Sequence, residues 1–185
     1  MIAPASETPS LHGTLRPVDS PERLRLVAGW LNEPRNAQWL DFGDGRQSVS
    51  PEWLKLATQR GALVLRIFEI DDGTPVAAAG LGSINPHFKS ATFWVVLGDK
   101  RFARHGYATK ATERMLSLGF EELGLHSINT WIVEHNPSVG VARNVGFKAS
   151  GRQRQCHFID GQPYDRLWFD ILAFEHKEQR HARQS

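Results

Sequence analysis

Residues 97–111 read Leu-Gly-Asp-Lys-Arg-Phe-Ala-Arg-His-Gly-Tyr-Ala-Thr-Lys-Ala and join an apolar run to the start of a strongly periodic segment. A basic, glycine-containing loop that opens a helix is suited to holding an anion. The first N–H groups of a helix lack intrahelical acceptors, and the helix dipole puts partial positive charge there. Arg104, His105, Gly106, Tyr107 and Ala108 could therefore aim backbone donors at a diphosphate, with Lys100, Arg101 and Arg104 adding charge. The small residues at 106 and 108 matter because a phosphate oxygen cannot reach the main chain past a bulky side chain. The alternative from the residues alone is an ordinary strand-to-helix turn carrying solvated arginines.

The elements that must position this loop can be read from periodicity. Residues 1–13, with two prolines, two serines and a closing glycine, form a lead-in with little to pack. Thr14 to Val18 is extended. From Pro21, residues Leu24, Val27, Ala28 and Leu31 form the apolar stripe of a helix, which Pro34 ends or kinks. A second short helix is predicted from Pro51. Residues 62–70 and 76–81 flank Asp71-Asp72-Gly73 as a hairpin, and Ala91 to Leu97 is a strand buried on both faces. Tyr107 to Leu123 is a helix, with Ala108, Ala111, Met115 and Leu118 on one face and Gly124 at its end. A strand over 128–133, a helix over 137–145 stopped by Gly146, and two strands flanking Asp160-Gly161 complete the order. The result is an α/β (α+β) arrangement with a mixed sheet of six to seven strands and about four helices. The charged tail, 175–185, reads as a frayed helix or a solvated end.

A chain of 185 residues, 41% hydrophobic and 23% charged, fits one domain with a substantial core. Its 22 basic and 20 acidic residues leave a net charge of +2, too small to imply a nucleic-acid partner. Cys156 is the single cysteine, so neither an internal disulfide nor a thiol zinc cluster is expected. The eight histidines show no paired metal-ligand spacing. No apolar run approaches the roughly 20 residues that cross a bilayer, and no signal peptide opens the chain. A cytoplasmic location is the expectation.

Gly106-Tyr107-Ala108 within Arg-His-Gly-Tyr-Ala-Thr-Lys-Ala resembles the acyl-CoA-binding motif of the GNAT superfamily of N-acetyltransferases. Leu97-Gly-Asp-Lys is similar to the subgroup of ribosomal-protein N-terminal and polyamine acetyltransferases. Leu123-Gly-Leu-His-Ser-Ile, Asn136 and Val145-Gly-Phe147 follow in the family's order, and the resemblance covers residues 14–174. It implies a GNAT-like sheet that splays after the strand ending at Leu97, with acetyl-CoA as cofactor. The pantetheine arm would lie in the gap, beside the backbone of Val96 and Leu97, and the pyrophosphate on 104–108. Asn136 would contact the cofactor, although before Pro137 it reads equally well as a helix cap. The acceptor would be a small-molecule amine or a peptide N-terminus, and dimers are common among look-alikes.

Three positions depart from the family pattern. Ala103 replaces a side chain at the start of the motif, Ala142 stands where many members present a tyrosine acid, and Thr92 stands where the subgroup often has glutamate. An acyl-CoA sensor without transferase activity is therefore the competing reading. Chemistry favours the enzyme. Deprotonating an alkyl amine at neutral pH costs about 4 kcal/mol, whereas the departing thiolate lies only about 2 kcal/mol from its acid. A dedicated acid is thus dispensable, since positioning and oxyanion-type donors supply most of the effect. Glu134 is the first candidate for a base or water relay, followed by Ser138, His135 and Tyr164. Cys156 reads as a small buried apolar residue, which implies direct transfer. The acceptor wall draws on Trp30, Trp39, Asp41, Phe42, Asp44, Trp53, Phe158, Asp160, Tyr164 and Asp165, with at least four of the six tryptophans expected in the core.

Overall fold

The computed structural model describes residues 12–43 and 45–184. Most of the predicted lead-in, 1–11, and Asp44 of the predicted acceptor wall lie outside the described residues. Gly13, assigned to that lead-in, instead opens the first strand. A Cβ there would fall 2.5 Å from the Phe68 ring, so the close pairing with β2 requires glycine.

The chain order is β1 (Gly13–Pro17), α1 (Pro21–Asn32), α2 (Pro34–Ala37), α3 (Pro51–Gln59), β2 (Leu63–Ile70), β3 (Pro75–Asn85), β4 (Ser90–Leu97), α4 (Tyr107–Ser117), β5 (Ser127–Val133), α5 (Ser138–Asn144), β6 (Lys148–Ile159), β7 (Gln162–Leu172) and α6 (Ala173–Gln184). The seven strands form one mixed sheet in the order β1-β2-β3-β4-β5-β7-β6. The predicted stripe of α1 is its buried face, and Ser20 caps the helix by accepting from the Arg23 amide. Pro34 starts α2, an extra turn of helix, because a proline fits a helix's first residue. The helix predicted to reach Leu123 keeps α-geometry only to Ser117, then widens into a π-turn over Leu118–Glu122. There Gly119 lies against Ile128 so closely that a Cβ would fall 2.8 Å from it.

The tail is not frayed. Residues 173–184 form α6, where Glu175 and His176 are buried. Glu175 accepts from the Leu172 amide and pairs with Lys148, and Ser117 meets His176 at 3.0 Å. Alternating charge therefore holds this helix to the sheet by specific partners.

One core cluster packs α4 and α5 on the sheet through Met115, Leu116, Ile128 and Ile171; another packs α1 and α3 through Val27, Leu31, Leu54 and Ile67. Gly98 lies under the second cluster, where a Cβ would fall 2.1 Å from the Trp30 indole. Gly98→Ala is expected to cost about 1–3 kcal/mol by overpacking, measurable as a lowered urea midpoint with an unchanged m-value.

Candidate active site: a splayed sheet with an amide-lined mouth

The parallel strands β4 and β5 pair only at Ser90, Ala91 and Thr92 opposite Ser127, Ile128 and Asn129. The Thr92 hydroxyl donates to Asn129 Oδ1 at 3.1 Å across the last rung. Threonine thus closes the apex of the gap at the position where the family resemblance placed glutamate. Beyond it the strands separate. In an antiparallel ladder, consecutive residues send their peptide groups to opposite sides. The Gly98 amide donates to Val76 O on β3, and the unbroken β3–β4 register therefore turns the peptide groups of Val96 towards β3 and those of Phe93, Val95 and Leu97 towards the gap. By the same logic, the Glu134 amide bonded to Asp165 O turns Trp131 and Val133 into the gap from β5. The backbone expectation at Leu97 fits this pattern. At Val96 it is corrected to Val95.

The gap opens into a cavity of about 760 Å³ that reaches from Thr92 to the start of α4. At its mouth, Arg104 and Gly106 adopt positive φ of 65° and 81° on either side of His105. Among the described residues, the amides of Arg104, Gly106, Tyr107, Ala108 and Thr109 have no acceptor in the chain. The His105 amide differs, since it reaches Phe102 O at 3.4 Å, and its ring Nδ1 lies 2.9 Å from Ala103 O. Two of the three expected cations are also engaged. Arg101 is paired to Asp99 at 2.6 Å, and Lys100 donates to Asn36 Oδ1 and, at 2.9 Å, to Leu97 O. Arg104 has no ion pair or side-chain hydrogen bond among the described residues, and Lys100, though held in place, bonds only neutral oxygens.

On the opposite wall, Asn136 Oδ1 accepts from the Ser138 amide at 2.8 Å and so caps α5 while the residue still lines the cavity. Both readings of Asn136 are therefore compatible, because its Nδ2 remains available. Ser138 and the buried Ala142 line the same wall.

Glu134 does not line the cavity. Its Oε1 accepts from the Asp165 amide at 2.9 Å, and its Oε2 pairs with Arg152 at 3.1 Å, while Arg152 also holds Asp165 at 3.0 Å. A carboxylate with both oxygens committed to a sheet corner is a fastener and not a base. Glu134→Gln is expected to keep kcat/KM within about threefold with an unchanged pH profile, and to lose about 0.5–1 kcal/mol of stability. Tyr164 is likewise outside, edge-on to His135 at 6.3 Å.

The acceptor side differs from expectation. Trp39, Asp41 and Phe42 line the cavity, but Trp30 covers Gly98 and Trp53 backs Phe42 edge-on at 5.9 Å. Phe158 is largely exposed, Asp160 sits in a turn, and Asp165 faces Arg152. All six tryptophans are half-buried; Trp39, Trp94 and Trp131 line the cavity, and Trp94 also packs against the core cluster of α1 and α3, as do Trp30 and Trp53. Residues that sequence reading missed hold this wall. Arg166 donates to Asp41 Oδ2 at 2.9 Å, stacks 3.9 Å over Trp131, and reaches His157 Nδ1 at 3.1 Å. His157 Nε2 is 2.7 Å from Gln38 O. A carbonyl only accepts, so Nε2 carries the proton and Nδ1 is the acceptor. Asp41 Oδ1 in turn accepts from the Gly43 and Gly45 amides. Burial alone would raise the Asp41 carboxyl; the Arg166 and glycine hydrogen bonds outweigh it and hold the group below the usual range.

Among the described residues, no group of three or more His, Cys, Asp or Glu gathers that could hold a metal, and no helix is long and apolar enough to cross a membrane.

A parallel strand pair opened into a wedge, with unclaimed helix-terminal amides at its mouth, defines the class of fold that seats a long diphosphate-linked carrier. The profile described as the Acetyltransferase (GNAT) domain matches residues 13–148, and the chain belongs to that family. It is an acetyl-CoA-dependent N-acetyltransferase. It is 22% identical over 175 residues, 89% of this chain and 93% of the other, to YdaF of Bacillus subtilis, provisionally named a ribosomal N-acetyltransferase. Over 83 residues it is 30% identical to the uncharacterized N-acetyltransferase YnaD of the same organism, covering 44% of this chain and 48% of that one. Spermidine N-acetyltransferase from Vibrio cholerae, solved with CoA and spermine, superposes with a TM-score of 0.77 at 23% identity, covering 89% of this chain and 98% of the other.

Proposed function

We propose that residues 14–174 act as a single transferase unit in which the acetyl group passes directly to an amine held in the same cavity. The observation that carries this reading is the combination of unclaimed amides at 104 and 106–109 with a β4–β5 pairing that stops at Thr92 and Asn129, which turns the peptide groups of Val95 and Trp131 and the amides of Leu97 and Val133 into the gap without a strand partner, while Lys100 and the Asn136 amide hold the Leu97 and Val133 carbonyls. A diphosphate suits the first, and an amide-containing arm added as an extra strand suits the second. When bound, acetyl-CoA supplies an activated thioester carbonyl and a stable leaving thiol. The chain supplies the rest. Peptide N–H groups on the splayed edge of β4 orient the carbonyl and offset charge on its oxygen. Asn136 Nδ2 holds the arm at its far wall.

The acceptor enters against Trp39 and the Asp41 segment, as a small-molecule amine or a peptide N-terminus. Its neutral nitrogen forms the new C–N bond as the C–S bond breaks. The amine proton leaves through water, since neither Glu134 nor Tyr164 faces the cavity. The Ser138 hydroxyl, on the first residue of α5, donates a hydrogen bond to the departing sulfur, which then takes its proton from solvent. The protein acts in the cytoplasm, and a homodimer is its proposed assembly.

Incubation with acetyl-CoA and a panel of amines, following thiol release, tests the reading. One thiol released per N-acetyl product, with unmodified protein by mass spectrometry, is the expected result. A stable acetyl adduct on Cys156 would overturn direct transfer.

A further inference from the structure

We propose that the acceptor is a small zwitterion whose carboxylate is bound by Lys100 and Arg35 while its amine is acetylated. This rests on the transferase reading above and names the acceptor class for the same cavity. Among the described residues lining the cavity, Asp41 is the sole carboxylate, and Arg166 already neutralises it. Arg35, Lys100 and Arg104 line the same cavity. Such a lining repels a polycation and leaves an anion wanted.

Lys100 is the better-built half of the site. Its ammonium has three donors, two of which go to neutral oxygens, Asn36 Oδ1 and Leu97 O. Asn36 is buried and fixed by its own Nδ2, which donates to Trp30 O at 2.8 Å. The lysine is therefore held in place with one donor left over and no carboxylate of the chain within ion-pair distance among the described residues. Burial, the largest influence, and the nearby Arg35 push its pKa below the usual lysine range, against Glu33. Arg35 is exposed on α2, and no ion pair or side-chain hydrogen bond claims its guanidinium among the described residues. A partly buried cation that lacks a counter-charge is costly unless a ligand brings one. Trp39 and Phe42 give the same cavity an apolar surface, which suits a short carbon skeleton linking carboxylate to amine.

The anion could also be a phosphate of coenzyme A, and the experiment separates the two sources. Turnover is measured with amino acids of increasing chain length, each beside its carboxamide, and with spermidine. Coenzyme A binding is measured by calorimetry on the wild type, Lys100→Gln and Arg35→Gln. The best acid should exceed its own carboxamide by about tenfold or more in kcat/KM, the scale of a charge-assisted contact. Both variants should erase most of that preference and keep coenzyme A affinity within about threefold of wild type. Arg35→Gln changes an exposed, unpaired side chain, so it remains informative if Lys100→Gln does not fold. A carboxamide or spermidine used as well as the acid would overturn the zwitterion assignment, as would turnover confined to amines without a carboxylate. Weakened coenzyme A binding in Arg35→Gln would assign the corner to the donor's phosphate. Absence of any coenzyme A binding by the wild type would instead remove the transferase reading itself.

Discussion

Gly106→Val should weaken coenzyme A binding by about 100-fold, equivalent to about 2.7 kcal/mol. Gly106 holds φ of 81° at the N-cap of α4 with no side-chain cap of its own. A β-branched residue in that region is strained by about 1–3 kcal/mol, and its methyl groups would stand where a phosphate oxygen must approach the amides of residues 106–109. The turn would relax towards negative φ and rotate those donors away. Calorimetry should record the loss of affinity, and steady-state kinetics a matching rise in the KM for acetyl-CoA. The acceptor KM should move far less, because Trp39 and the Asp41 segment do not touch this turn. Gly106→Ala, smaller but equally strained, should fall between wild type and valine.

The second large effect is expected at Arg166. Arg166→Met removes the ion-pair partner of Asp41, the cation over Trp131 and the donor to His157 Nδ1 in one step. Breaking a largely buried pair while leaving its carboxylate in place is expected to cost about 2–3 kcal/mol. The pH dependence has a definite sign. In the wild type the Asp41 carboxyl lies below its unfolded value, so it contributes stability above the ordinary carboxylate range that is lost as pH falls through the lowered folded pKa. Without Arg166 burial is opposed only by the Gly43 and Gly45 amides, so the carboxyl rises from its wild-type position and acid sensitivity moves to higher pH. Because Asp41 also holds the Gly43 and Gly45 amides, the acceptor KM should rise while coenzyme A affinity stays near wild type. Denaturant titrations between pH 4 and 8, with both KM values, check each part. Arg166→Lys should restore some charge pairing but not the stacking on Trp131.

Much of the donor side was legible in the sequence because it is local. The strand, the loop and the helix start are contiguous from Ala91 to Ala111, and the glycine, small residue and free amides are consequences of short-range backbone geometry. The pattern of elements implied a mixed sheet, and the gap after Leu97 came from the family resemblance. What sequence could not supply was register. Whether Val95 or Val96 faces the gap depends on which side of β4 pairs with β3, a one-residue alternation fixed only when Gly98 bonds Val76. The acceptor wall was less legible for the same reason at longer range. Asp41 and Arg166 are 125 residues apart and meet only because β7 pairs with β5 beneath the α2–α3 connection. Nothing in the local pattern around Arg166 distinguishes it from a solvated strand arginine. Glu134 shows the opposite error. At a strand end it has the chemistry of a base, but the neighbouring strands bring Arg152 and the Asp165 amide to its two oxygens. The tail reads as solvated because its partners, Lys148, Ser117 and Glu121, lie far back along the chain.

Hydrogen–deuterium exchange with and without coenzyme A tests the central claim most directly, since the amides in question are donors awaiting an acceptor. Slowed exchange on coenzyme A addition, confined to residues 104–109 and to the gap-facing positions of β4 and β5, is the predicted result. Unchanged exchange at 104–109 under saturating coenzyme A, with protection appearing elsewhere, would contradict it.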